Sequence, residues 1–197
     1  MKPSSAIPHR LGGLLCALAL ALPAAAVEVE GVKLDDMVKV GGKELALNGA
    51  GVRTRVIFKV YVLGLYLQDK KKTPADVLAA DGPRRFTLVM LRDVSGADMS
   101  EAFVTALNKN SDEAEKSKIV RQTAQFGEMF SKIDTLKKGV VVTGDWLPGA
   151  GTVIQLNGKP LAEPLPDMAF YNAILKIWLG DKPADSSLKP ALLGEKS

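Results

Sequence analysis

Cysteine and histidine are almost missing from this sequence: Cys16 and His9 are the only ones. Both lie ahead of residue 27, in a stretch that reads as a removable leader. Without that leader the chain has no thiol nucleophile, no disulfide and no imidazole. Catalysis based on Cys or His is then excluded, as are the usual zinc sites and histidine-ligated haem. No cofactor and no metal is expected. Long apolar runs are lacking as well. The run at residues 11–22 is about a dozen residues, against the ~20 that a spanning helix needs, so no transmembrane segment is expected. Neither sign of charge dominates. The whole chain has 26 basic and 22 acidic residues, and loss of Lys2 and Arg10 with the leader leaves 24 against 22. Such a mixed surface gives no footing for a nucleic-acid partner.

What is present at the N-terminus has the three parts of an export signal. Lys2, His9 and Arg10 form a basic start, residues 11–22 an apolar core, and Ala24-Ala25-Ala26 a small-residue end. Cleavage is expected between Ala26 and Val27. Cys16 sits inside the apolar core behind Leu15, which does not fit a lipoprotein site. The expectation is a periplasmic or secreted protein with residues 27–197 as one domain. About 170 residues suffice for a single full-sized core.

The rest is organised around residues 51–67, GVRTRVIFKVYVLGLYL, which reads as one long central strand rich in Val, Ile, Phe, Tyr and Leu. Counting by twos places Arg53, Arg55, Ile57, Lys59, Tyr61, Leu63, Leu65 and Leu67 on one face. Burying the cations and the phenol costs several kcal/mol unless each finds a partner or water. Either the cations snorkel from the strand start, or they floor a cleft for an anionic or phenolic ligand.

Around this strand, residues 27–51 alternate weakly, with Gly41-Gly42 and Asn48-Gly49 as turn signals. Thr73-Pro74 opens a short helix, and Asp81-Gly82-Pro83 ends it. Residues 84–92 form a second apolar strand. Helices follow at 95–108, capped by Ser95 or Asp98, and at 112–133. Residues 139–144, 151–156 and 159–161 are strands, with Asn157-Gly158 as a hairpin turn. Asp167 caps a helix to Leu179, and a last short helix lies between Pro183 and Pro190. Strands, helices, strands, helices in that order predict α+β with an antiparallel sheet.

The ordered motifs G-x-R at Gly51–Arg53, F-K-x-Y at Phe58–Tyr61 and L-G-L-Y-L at 63–67 resemble the chalcone isomerase superfamily, in particular its bacterial chalcone-isomerase-like branch. The resemblance runs over residues 27–193. It implies an open-faced β-sandwich, in which a large antiparallel sheet carries helices layered on one face. Plant members close a flavanone ring with an arginine and polarised hydroxyl groups. On the resemblance, their helix tyrosine, lysine and asparagine fall at Met99, Ala102 and Ala106, and their threonines at Tyr61 and near Ile177. Only the arginine is kept, as Arg53. The non-catalytic relatives include fatty-acid-binding proteins, which hold a carboxylate with an arginine and a tyrosine that match Arg53 and Tyr61.

Eight residues of straight strand span about 26 Å, so Arg53 and Tyr61 meet only if the chain bends or folds back. If the strand is straight, Lys59 pairs with Tyr61 instead, from the same face. Leu63, Met99, Phe103, Ile177 and Trp178 are the expected wall for a ligand's tail. Three readings stay open: a binder of a fatty acid or similar amphipathic anion, an envelope protein that binds a protein partner with its cleft filled, and an isomerase (intramolecular lyase) with non-standard residues.

Overall fold

A computed structural model describes residues 26–195; the expected leader, up to Ala25, lies outside the described residues. The chain enters through a small hairpin, β1 (Ala26–Val29) and β2 (Val32–Asp35), then β3 (Met37–Val40), β4 (Lys43–Arg55) and β5 (Phe58–Leu67). A short helix α1 (Pro74–Leu78) precedes β6 (Arg84–Met90) and β7 (Val94–Ser95). The long helices α2 (Gly96–Lys109) and α3 (Glu113–Ser131) come next. Then β8 (Thr135–Leu136), β9 (Val141–Leu147), β10 (Gly151–Leu156) and β11 (Lys159–Pro160) lead to α4 (Met168–Leu179) and α5 (Leu188–Leu192). Seven strands form one antiparallel sheet in the order β11-β10-β9-β6-β5-β4-β3. The α+β class and the antiparallel sheet with layered helices are as expected.

Local chemistry sets the helix starts. Thr73 accepts from the Asp76 N–H at 3.1 Å, and Ser95, not Asp98, caps α2 by accepting from the Asp98 N–H at 3.0 Å. Asp112 and Glu115 form a reciprocal capping box on α3, and Asp167 accepts from the Ala169 N–H at the start of α4. Helix α4 is buried on nearly every side because it lies between the sheet and the α2–α3 pair.

The sheet separates two cores. On the helix side, Tyr61, Leu63, Leu65 and Leu67 of β5 pack with Phe86, Leu88 and Met90 of β6 against α2, α3 and α4. On the other side, Leu45, Leu47, Val62 and Tyr66 pack under Leu34 of the β1–β2 hairpin. Close packing governs both faces. A Cβ on Gly144 of β9 would lie 2.1 Å from the Phe86 ring, so only glycine lets that ring sit flat on the sheet.

Four expectations need correction. The last helix does not end at Pro190: α5 runs over Leu188–Leu192 with Pro190 in its first turn, where a missing N–H is tolerated. Residues 51–67 are not one strand. They are the end of β4, a tight turn at Val56-Ile57, and β5 paired back on it, with Arg53 opposite Tyr61. The Asn48-Gly49 signal does not make a turn either. Both residues lie within β4, at a register shift where Asn48 is the extra residue. Its amide group donates to the Leu192 carbonyl at 2.7 Å and the Lys71 carbonyl at 3.0 Å, and its oxygen accepts from the Lys71 N–H at 2.6 Å. Those bonds fix α5 against β4, where Gly49 leaves no room for a Cβ beside the Ala191 carbonyl. Finally, Lys59 and Tyr61 do not share a face. A second register shift makes Val60 an extra residue between them, because Arg53 pairs with Tyr61 while Thr54 pairs with Lys59. Val60 and Tyr61 both turn into the helix-side core. Lys59 turns the other way and pairs with Glu30 of the β1–β2 turn at 2.6 Å.

Candidate functional site

The fold-back of β4 on β5 brings the Arg53 guanidinium to 5.7 Å from the centre of the Tyr61 ring, within cation–π range. Tyr61 itself is buried, and its hydroxyl accepts from the Trp178 Nε1–H at 2.9 Å. Positions 61 and 178, far apart in sequence, thus meet in the fold. Burial pushes the Tyr61 phenol up to about 12, against the pull of Arg53 and of the Trp178 bond. The phenol therefore stays neutral, and donation from Trp178 leaves its proton available to a further acceptor.

Arg53 is half-buried. Among the described residues its guanidinium has no hydrogen bond and no ion pair. It stands where two clefts meet. One, of about 500 Å³, runs along Val60, Val94, Met99 and Ala102. The other, of about 740 Å³, is more polar and reaches Thr105, Lys109 and Lys182. Asp98 borders both. Asp185 closes the neighbouring edge by accepting from the Thr54 N–H at 2.8 Å. Burial opposes charge on Asp185, but hydrogen bonds from Thr54 and Ser187 outweigh it and hold the carboxyl below its usual range. Asp185 is therefore committed to Thr54 and Ser187, and Arg53 keeps its donors for something else.

The expected tail wall divides. Met99 borders the smaller cleft. Leu63, Phe103, Ile177 and Trp178 lie in the packed helix-side core. Phe103 is 5.6 Å from Phe126, 5.8 Å from Phe130 and 6.0 Å from Trp178, and Trp178 is 5.4 Å from Phe86. These spacings are those of rings in mutual contact, so the space behind Tyr61 is filled with side chains. Lys59 is not part of the cluster. Sequence reasoning missed Asp185, Val60 and Val94. The Asp185-Ser186-Ser187 run was a local capping signal, whereas Val60 enters through the bulge alone.

A family model described as chalcone isomerase-like matches residues 26–194. The chain belongs to the chalcone isomerase-like family. Among solved structures, this family member is similar to the fatty-acid binding protein of Arabidopsis thaliana, with a TM-score of 0.68 and 15% identity, over 86% of this chain and 96% of that one. At that identity the likeness shows the fold. Among curated protein sequences, none matches the chain. In this chalcone isomerase-like chain, no group of three or more His, Cys, Asp or Glu is arranged to hold a metal among the described residues. No helix among them is long and apolar enough to cross a membrane.

The tyrosines offer a check on this geometry. The chain has three, and burial pushes Tyr61 and Tyr66 up to about 12 and Tyr171 higher still. Since the folded values lie above the ordinary value of 10, their contribution to stability is complete below pH 10 and is lost as pH rises toward 12. Absorbance at 295 nm should show no tyrosinate in the folded protein near pH 10. Ionisation should instead coincide with alkaline unfolding seen by circular dichroism. A tyrosine titrating near 10 with the fold intact would contradict the burial described.

Proposed function

We propose that this chain is a non-catalytic binding protein for a fatty acid or similar amphipathic anion, held at Arg53. The observation that carries the reading is an arginine with unused donors, seated over a neutral buried phenol at the head of an apolar cleft. Guanidinium offers paired donors to a carboxylate. Val60, Val94, Met99 and Ala102 form a wall for the tail, stabilising by about 25 cal/mol per Å² of apolar surface covered. A cleft near 500 Å³ lies in the ~300–1,000 Å³ range of small-molecule sites. A fatty-acid binding protein of the same fold supports a ligand of this class. The ligand lies along the surface cleft, because the interior behind Tyr61 is occupied by Trp178 and Phe103.

The protein works outside the cytoplasm, with its leader cleaved before Val27. Support comes from the composition of residues 1–26, a basic start, an apolar core and a small-residue end. The filled interior also favours a second reading, a protein of the envelope that binds a protein partner. Native mass spectrometry of protein taken from the periplasm separates the two. A bound amphipathic carboxylate, on a chain beginning at Val27, is expected. Bare protein that also fails to take up C12–C18 fatty acids would contradict the binding reading.

A further inference from the structure

The tip of the β4–β5 hairpin presents Val56, Ile57 and Phe58 at 89%, 79% and 54% exposure. Single apolar side chains on a surface are ordinary, but consecutive ones at the end of a projecting hairpin mark a place of contact. Val56 holds φ 59, a left-handed conformation that β-branched residues avoid and that glycine or asparagine would adopt with less strain. The tip thus retains an apolar residue where local backbone chemistry disfavours it. Its surroundings are cationic. Arg55 is exposed beside it, Arg92 lies 4.7 Å from the centre of the Phe58 ring, and Arg53 stands behind. Asp93, which accepts from the Lys138 N–H at 2.7 Å, and Asp98 border the same cleft and offset part of that charge, leaving the arginines in excess. Lys59 is balanced by Glu30.

We propose that this tip docks on an anionic phospholipid bilayer, with Ile57 and Phe58 entering the head-group and acyl boundary and Arg55 and Arg92 against lipid phosphates. Arginine suits that depth, because its stem packs on apolar surface while its fork reaches phosphate. A convex tip of three residues asks for a deformable surface that supplies phosphate on every side, whereas a protein partner must present a matched recess. Juxtamembrane cations strengthen such contacts at low and physiological salt. Docking would bring the mouth of the Arg53 cleft to the lipid surface. The inference does not rest on fatty-acid binding, since vesicles free of fatty acid test it alone.

The test is co-sedimentation with vesicles of phosphatidylethanolamine and phosphatidylglycerol, and with phosphatidylcholine vesicles as the uncharged comparison. The intact chain from residue 27 should bind the anionic vesicles and release them in high salt. Ile57→Ser with Phe58→Ser should weaken binding about tenfold or more, as should Arg55→Glu with Arg92→Glu. Val120→Ser, at an exposed apolar site on α3, should bind like the parent. Circular dichroism confirms the fold of each. Absence of binding to anionic vesicles, or equal binding by the parent and either tip variant, overturns the proposal.

Discussion

Replacing Trp178 by alanine should destabilise the protein by about 3–5 kcal/mol. Trp178 is among the largest fully buried side chains, at 1% exposure, and it touches the rings of Phe86 and Phe103. Its removal leaves a cavity that those rings cannot close from their places in β6 and α2. It also removes the donor to the Tyr61 hydroxyl, a term of about 1 kcal/mol that is not simply additive with the cavity. For a domain of this size the midpoint of thermal unfolding should fall by about 6–20 °C. Trp178→Phe keeps an aromatic ring between Phe86 and Phe103 while losing the N–H and part of the indole, so it leaves a smaller cavity. It should cost clearly less, and urea titration of both variants measures the difference. If Trp178→Ala cost under about 1 kcal/mol, Trp178 would be the wall of an open cavity, and the ligand's place would lie inside the fold.

Much of the architecture was legible because it rests on local chemistry. The caps at Thr73, Ser95 and Asp167 are side-chain oxygens meeting free backbone N–H groups, and that chemistry is visible in the residue type alone. The order of strands and helices likewise predicts the sheet. The hairpin at Val56-Ile57 was not legible. Turns are read from Gly, Asn, Asp and Pro, and here two β-branched residues make one. Pairing along β4 and β5 stabilises the hairpin and imposes the turn on residues that would not choose it. The bulge at Val60 hides for a related reason. Alternation is counted along one strand, but a bulge is defined by the register against its neighbour. One extra residue moved Lys59 to the opposite face and left Tyr61 with Arg53. The fold-back, considered as one way for Arg53 and Tyr61 to meet, is what the structure has. The filled space behind Tyr61 was equally out of reach, since apolar stripes on α2 and α4 look alike whether they meet each other or a ligand.

The placement of the anion at Arg53 makes the sharpest demand on experiment. An arginine that donates to a carboxylate gives a charge-assisted bond worth about 1.5–3 kcal/mol, and among the described residues Arg53 forms no ion pair, although Asp98 borders the same clefts. Arg53→Lys keeps the charge but not the paired donors, and should recover only part of the affinity. Tyr61→Phe should act more on stability than on affinity, because the hydroxyl already accepts from Trp178 at 2.9 Å. Lys59 faces Glu30 across the other side of the sheet, so Lys59→Ala should bind like the parent. The deciding measurement is calorimetric titration of dodecanoate into the parent, Arg53→Ala and Lys59→Ala at fixed salt. The account predicts that Arg53→Ala binds about 10- to 150-fold more weakly while Lys59→Ala is unchanged. Equal affinities for the parent and Arg53→Ala, or no binding by the parent, would contradict it.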